Sequence, residues 1–164
     1  MTSFYQITDN EVISGVCKAI HTVYGNDLRI YKEHRSSLDL PAVTVYCINR
    51  NSVMERFDRF TNTFNIIINY YPPDSVKINN KRMEMATNAQ RIMECIRYIP
   101  LPASKRISDN EYQDITLPCR ASDIQTEEKE DFIQISVTYV VRTKYVPENI
   151  QKMTNIKCSL KLKQ

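Results

Sequence analysis

The sequence predicts a single α+β domain, in which two amphipathic helices pack on one face of a mainly antiparallel sheet. Residues 60–71 alternate between apolar and polar side chains, which is typical of a half-buried strand, and residues 132–142 repeat the pattern. Residues 8–24 and 80–98 instead place apolar side chains at the helical spacing. Two helical stripes and one apolar sheet face can bury one another in a two-layer domain.

The composition is that of an ordinary globular chain. Of 164 residues, 42% are hydrophobic and 25% are charged, which is enough for one domain with a proper core. The net charge of +3 is mild, whereas nucleic-acid binders usually concentrate far more positive charge on one face. Only two glycines, Gly15 and Gly25, are present, which excludes Gly-rich phosphate loops.

The five cysteines are scattered, odd in number and without a CxxC spacing. Cys17, Cys47 and Cys95 lie among apolar residues, as small buried side chains do, which suits a reducing compartment. The first residues contain no basic-then-apolar signal, and the apolar runs are too short to cross a bilayer. We therefore expect a protein that is cytoplasmic when made.

The first helix begins at a capping box and ends at a glycine. Thr8 and Glu11 have the spacing at which each side chain can reach the other residue's backbone amide. Apolar residues from Val12 to Tyr24 form the buried stripe, and Gly25 follows as the residue after the helix.

Two strands and a long hairpin follow. The predicted strands cover residues 28–33 and 42–48, and the charged segment 50–59 forms a hairpin tip before the central strand at 60–71. Pro72 and Pro73 end that strand. Thr61, Thr63 and Asn65 face away from the core, as do Asn69 and, on neighbouring strands, Thr44, Gln134, Ser136 and Thr138.

The second half of the chain is less regular. The second helix should end before Pro100, after which residues 103–114 could form a short edge strand. Residues 115–124 contain Pro118, which favours an edge position or a bulge, and residues 125–131 are predicted to be a charged turn.

The motifs of common active sites are absent from the sequence. The two histidines, His21 and His34, lie in no metal-binding pattern, and no GxSxG, GKS/T or Rossmann glycine pattern occurs. Two acids could meet in space as in a nuclease, but no DxD occurs, and a hairpin turn explains the acids of residues 123–131 better. We expect no enzyme activity, no metal and no cofactor.

The order of these elements resembles that of the tail terminator, or tail completion, proteins of phages and phage tail-like particles of Gram-positive bacteria. The resemblance covers residues 9–145 and is carried by the segments RIYKE, LDLPAVTVYCIN, RFTNTFNIIINYYPPD, AQRIMECIRYIPL and FIQISVTYVVRTKY. Within these segments the matching residues are Arg59, Tyr70, Tyr71, Tyr139 and Arg142.

The resemblance implies a structural role and several partners. Such proteins form a hexameric ring that caps the head-proximal end of the tail tube and stops its polymerisation. The ring also contacts the last sheath ring of a contractile tail and offers a docking surface to the neck or head. The alternatives are another neck or head–tail joining protein, or a non-phage adaptor domain of similar fold.

Two segments are candidate interaction sites. The hairpin tip has apolar anchors among charges, as a tube-docking loop requires; its residues are Arg50, Val53, Met54, Arg56, Phe57 and Arg59. The domain is expected to cover residues 1–146, and residues 147–164 to form a C-terminal extension. In that extension Ile156, Cys158, Leu160 and Leu162 alternate with polar residues, which predicts either a frayed basic tail or a strand that adds to a sheath subunit.

Overall fold

A computed structural model describes residues 2–4, 7–33, 35–76, 78–108 and 111–144 of the chain. It confirms the α+β class, with two helices against a curled, mostly antiparallel sheet. The elements, in chain order, are β1 (Thr2–Ser3), α1 (Asp9–Tyr24), a 3-10 turn (Gly25–Asp27), β2 (Arg29–Tyr31), β3 (Ala42–Arg56), β4 (Arg59–Tyr71), α2 (Ile78–Ile96), β5 (Tyr98–Ser108), β6 (Glu111–Glu128) and β7 (Ile133–Lys144).

The strands lie in the order β1-β5-β6-β7-β4-β3-β2. All neighbours are antiparallel except β2 and β3, which are parallel. The predicted central strand is β4, which pairs along its length with β3 on one side and β7 on the other. Its alternation is therefore a consequence of having the core on one face and solvent or other side chains on the other.

Both helices bury their apolar stripes against the same sheet face. The backbone amide of Thr8 donates to Glu11 Oε2 at 2.6 Å, so the predicted capping interaction helps to start α1. The residue after α1, Gly25, has a φ of 57°, a conformation that glycine adopts without strain. The shared core includes Val12, Val16 and Ile20 from α1, Met85, Ala89, Ile92 and Ile96 from α2, and Val43, Val45, Phe64, Ile66, Ile68, Ile135, Val137, Tyr139 and Val141 from the sheet.

Helix α1 approaches β5 closely at Gly15. A Cβ atom at this position would lie 2.7 Å from the carbonyl oxygen of Pro100 and 3.4 Å from side-chain atoms of Ile99 and Leu101. The glycine is required here because the helix backbone lies almost directly on the strand.

The structure corrects the prediction for residues 98–108. We expected the second helix to end before Pro100 and a short edge strand to lie within residues 103–114, but β5 begins at Tyr98 and buries Ile99 and Leu101 completely. It pairs with β6 along its length and with the two-residue β1 only at Ser104 and Lys105. Residues 99–103, IPLPA, do alternate between buried and less buried positions. The pattern was not recognised as a strand because its two prolines lack the N–H that a ladder uses.

Strand β6 is also longer than predicted. Residues 111–120 pair with β5, whereas residues 121–128 pair with β7, so the strand joins two parts of the curled sheet. A register shift between Ala121 and Asp123 marks the change. Pro118 lies in the half that has a partner on one side only among the described residues, so it interrupts no second ladder. Gln125–Glu128, predicted to be part of a turn, belong to the strand.

The face of the sheet away from the helices is only partly wet. Thr61, Thr63 and Asn65 are half-buried there, as are Gln134, Ser136 and Thr138. Toward the other end of the same face, however, Asn69 is only 2% exposed and Thr44 and Ile67 are buried as well. The rings of Tyr71 and Phe132 pack at this end, with centroids 5.1 Å apart. Thr44 and Asn69 thus lie on the face that the alternation predicted, but they are buried there and not wet.

The C-terminal extension of residues 147–164, with Ile156, Cys158, Leu160 and Leu162, lies outside the described residues. Neither of the described helices is both long and apolar enough to span a bilayer.

Candidate docking surfaces at one end of the sheet

Two long hairpins project from the same end of the sheet. Arg59, the first residue of β4, is opposite Lys144, the last residue of β7, so the β3–β4 turn lies where β7 ends. Strand β6 runs antiparallel to β7, with Ala121 opposite Tyr139 and Glu128 opposite Ile133, so β6 begins at that end too. We call residues 48–61 the first arm and residues 103–116 the second arm.

The first arm carries the predicted docking tip. Both strands continue far into it, so the predicted tip is mostly ladder, and only Phe57 and Asp58 form the turn. Phe57 is 96% exposed, Met54 64% and Val53 53%. Phenylalanine and methionine side chains this exposed, and this close together, are typical of a surface that meets a partner.

A bulge at the base of the arm changes which side chains face the helices. The β3–β4 register shifts between Cys47 and Asn49, leaving Ile48 as the extra residue. As a result Arg50 turns toward the helix side of the sheet, where its guanidinium lies 5.6 Å from the ring centre of Phe64 and 3.8 Å from Asp9 Oδ1. Arg50 thus connects the arm to the start of α1 and does not lie in the tip.

Below the tip, a short polar network holds the arm to β7. The Ser52 hydroxyl donates to Asn62 Oδ1 at 2.6 Å, and Asn62 Nδ2 donates to Thr143 Oγ1 at 2.8 Å. Asn62 and Thr143 are both buried.

Burial also raises the pKa of the Cys47 thiol, and the Asp9 carboxylate adds to the shift, so Cys47 is a protonated structural residue.

The acidic side chains of the first arm have partners within the molecule, but two of its arginines have no ion-pair partner among the described residues. Glu55 accepts a hydrogen bond from Thr61 and lies 3.7 Å from Arg142, and Asp58 lies 3.9 Å from Lys144. Arg56 and Arg59 are directly opposite each other in the ladder, are both exposed, and make no ion pair with another described residue.

Like charges directly opposite each other destabilise a hairpin. Among the predicted site residues, the structure therefore brings Val53, Met54 and Phe57 together with this unneutralised arginine pair.

The second arm was not predicted. Its strands place exposed Ile107 and Tyr112 near exposed acids, Glu111 and Asp114. The signal was present in the sequence as turn-forming Ser108-Asp109-Asn110 between two alternating stretches, but the prolines of β5 hid the first stretch.

No group of three or more His, Cys, Asp or Glu side chains lies close enough to hold a metal ion in the part of the chain that the structure describes. An open cleft of about 640 Å³ between α2 and the β6–β7 turn is lined by charges that pair with one another, Lys81 with Asp131 at 2.7 Å and Arg82 with Glu128 at 3.0 Å. His21 is exposed on α1.

A comparison with protein families identifies the chain. The model of a family described as phage tail terminator protein matches residues 11–153, which include α1 from its third residue, α2, β2 to β7 and both arms. The chain belongs to the phage tail terminator family. A comparison with curated proteins gave no match.

Membership gives this tail terminator a structural role in the phage tail and makes it a component of the virion. The family is one of structural proteins that interact with other tail components. Most of the large exposed apolar side chains among the described residues lie on the two arms: Ile48, Val53, Met54, Phe57, Ile107 and Tyr112.

Proposed function

We propose that this tail terminator forms a hexameric ring on the head-proximal end of the tail tube, where it ends tube polymerisation and provides a docking surface for the neck. The observation that carries the proposal is the pair of exposed arms at one end of a domain that belongs to the tail terminator family. A ring that caps a tube needs one face for the tube and another for the neck. Because both arms project from one end of this domain, its two ends differ, as the two faces of such a ring must.

The tip of the first arm is the part that we assign to the tube. Its apolar residues, Val53, Met54 and Phe57, are surrounded by charge, and Phe57 stands furthest out at the turn. Apolar anchors that become buried at the centre of an interface usually contribute most of its binding energy. Arg56 and Arg59 flank these anchors, and Arg50 fixes the base of the arm to α1.

The polar face of the sheet is proposed to be a wet interface or the wall of the lumen. Asn65 and Thr138 are joined there by a hydrogen bond of 2.9 Å from Thr138 Oγ1 to Asn65 Oδ1. Thr61, Thr63, Gln134 and Ser136 are half-buried neighbours on the same face. Neutral hydroxyls and amides keep such a surface hydrated without a strong charge.

The sheath and the neck are the other partners that we propose for a ring at the end of the tail. We propose that the ring assembles in the cytoplasm of a Gram-positive host, and that in a contractile tail the C-terminal extension adds a strand to the last sheath ring. In an infectious phage the neck would bind the other side of the ring.

Electron microscopy of tails from a strain that lacks this protein tests the function. Overlong or unjoined tails are expected, and a wild-type copy should restore uniform length. In wild-type tails, a label on the protein should appear once, at one end of the tube. Tails of normal length and normal joining in the deletion strain, or label along the whole tube, would contradict the proposal.

A further inference from the structure

Three basic residues form a row across the end of the sheet, which we call the basic row. Arg56 of β3 is directly opposite Arg59 of β4, and Arg59 is directly opposite Lys144 of β7. Residues opposite each other in a ladder project from the same face, and neighbouring strands lie about 4.8 Å apart. Arg59 therefore lies between two other cations, on the same face of β4 as Thr61.

The acidic side chains of the first arm neutralise this end of the sheet only in part. Asp58 Oδ2 lies 3.9 Å from Lys144 Nζ. On the next rung of the same face, Glu55 Oε1 lies 3.7 Å from Arg142 Nε. Charge-assisted hydrogen bonds are shorter, about 2.7–2.9 Å, and exposed ion pairs contribute little. The two acids are shared among four cations, so two positive charges have no counter-charge among the described residues.

Such a row is unfavourable for the free protein. Like charges directly opposite each other destabilise a sheet. The strand spacing of about 4.8 Å is also shorter than the screening length of about 8 Å at physiological salt, so the repulsion is only partly screened. An acidic residue at position 56 or 59 would instead give an attractive cross-strand pair. We therefore expect Arg56 and Arg59 to gain their counter-charges from a partner.

The apolar side chains beside the basic row indicate which kind of anion fits it. Phe57 follows Arg56 in the turn and is almost fully exposed. Val53, also exposed, is opposite Thr61, one rung from Arg59 on the same face. Aromatic anchors beside arginines are typical of the centres of protein–protein interfaces. A sugar–phosphate backbone offers an aliphatic side chain such as Val53 little to contact, so an acidic protein surface with an apolar pocket fits this end of the arm better.

We propose that Arg56, Arg59 and Lys144 bind carboxylates around an apolar pocket on the end of the tail tube, where Phe57 becomes buried. This contact chemistry rests on the docking of the first arm to the tube proposed above, and it adds the acidic character of the tube's side. Binding replaces repulsion within the row by attraction to the tube. The same two arginines thus weaken the free protein and strengthen the complex.

Neutral substitution of the two arginines tests this contact. Binding is measured by cosedimentation with tubes purified from a strain that lacks the protein, so that its site on the tube is free. Full-length Arg56→Gln, Arg59→Gln protein should bind about tenfold more weakly than wild type, because the carboxylates of the tube lose their partners. Wild-type binding should also weaken as salt is raised, and binding of the variant should depend less on salt, because salt screens exposed charges.

A matched control separates this contact from the effect of net charge. Lys18→Gln, Arg97→Gln protein loses the same two charges at exposed positions, one on α1 and one just after α2. It should bind tubes as wild type does, with the same salt dependence. Equal losses of binding in the two variants would show that only the overall charge matters, and would overturn the proposal.

The stability of the free protein gives a second readout. At low salt, Arg56→Gln, Arg59→Gln should raise Tm by about 1–3 °C, because a like-charge pair is removed, whereas the control variant should leave Tm nearly unchanged. Weaker binding together with greater stability identifies an interface role. A lower Tm would show that the arginines hold the hairpin together, and would overturn the proposal.

Nucleic acid is the alternative anion. Duplex DNA of arbitrary sequence, titrated with the wild-type protein and with Arg56→Gln, Arg59→Gln, measures this possibility. Equally weak binding by both proteins is expected. If only the wild type binds DNA while both proteins bind tubes equally, the basic row is a nucleic-acid site, and the acidic tube surface is overturned.

The outcomes separate the charge contact from tube docking itself. If Arg56→Gln, Arg59→Gln binds tubes as wild type does and a Met54→Ser, Phe57→Ser protein does not, the acidic surface is overturned and the tube contact stands. If the wild-type protein itself does not bind tube ends, the proposed tube contact and its chemistry both fail.

Discussion

The hydroxyl of Tyr139 donates a 2.6 Å hydrogen bond to the carbonyl oxygen of Ile96, the last residue of α2. Both residues are fully buried. The last carbonyls of a helix have no partner within the helix, so this bond from β7 satisfies one of them inside the core. Burial raises the pKa of Tyr139, and the nearby Cys119 and Cys95 add to the shift, so the phenol remains a donor.

Replacing Tyr139 by Phe should lower the free energy of unfolding by about 1–3 kcal/mol, because the Ile96 carbonyl would stay buried without a donor. Urea unfolding measures the loss. Tyr98→Phe, at an exposed tyrosine near the same helix end, is the control and should change little. Equal effects of the two substitutions would mean that the buried bond contributes nothing specific.

Gly15→Ala should destabilise the protein by about 1–3 kcal/mol, the usual cost of forcing extra volume into a packed interface. The added Cβ would lie 2.7 Å from the Pro100 carbonyl oxygen, which belongs to the backbone and cannot turn aside. Thermal unfolding would show the effect. Lys18→Ala, on the exposed side of the same helix, should leave the transition almost unchanged, and a stable Gly15→Ala protein would show that α1 can shift away from β5.

Replacing both Met54 and Phe57 by Ser should weaken binding to tail tubes without loss of stability, because both side chains are exposed and make little contact with the core. Cosedimentation with purified tubes measures binding, and urea unfolding should agree with wild type within about 0.5 kcal/mol. Met83→Ser, at an exposed methionine of α2, is the matched control. If the double variant binds tubes normally, the first arm is a solvated hairpin.

Stability should decrease in alkali because of two thiols, those of the half-buried Cys95 and the buried Cys119. Burial raises the pKa of Cys95 and of Cys119 from 9.0 to about 11. Below pH 9 both thiols are protonated in the folded and unfolded chains; as the pH rises further, the unfolded chain loses these protons first. Each thiol should then lower the free energy of unfolding by up to about 1.4 kcal/mol per pH unit until the folded thiol ionises as well.

Urea unfolding over this pH range measures the slope, and comparison with a Cys95→Ala, Cys119→Ala protein isolates the thiols from other groups. The double variant should have a smaller slope, whatever its stability at neutral pH. An identical slope would show that these thiols ionise equally in both states.

Truncation after Pro147 should leave a folded protein that still caps tubes but no longer anchors sheath. The removed residues include the alternating Ile156, Cys158, Leu160 and Leu162, which are proposed to add a strand to a sheath subunit. Sheath retention on purified tails, scored by electron microscopy, measures the effect. A variant with the four apolar residues changed to Ser should behave like the truncation. Normal sheath retention in either protein would exclude the strand.

The sequence by itself determined the helices and the strongest strands. The α1 stripe with its Thr8 and Glu11 cap, and the alternating residues of β4 and β7, are local patterns whose period does not depend on the partner. The sequence also predicted that the apolar residues of the first arm are exposed. A charged hairpin has few other apolar side chains that could cover Met54 and Phe57.

Only the tertiary structure decided how these elements meet. The bulge at Ile48 turns Arg50 toward Asp9, and β5 forms across two prolines because its partners, α1 at Gly15 and β6, hold it in place. The pairing of Tyr139 with Ile96 and the common direction of the two arms likewise join residues that are distant in the chain. Such contacts depend on strand order and register, which a local period leaves open because the same alternation fits any neighbour.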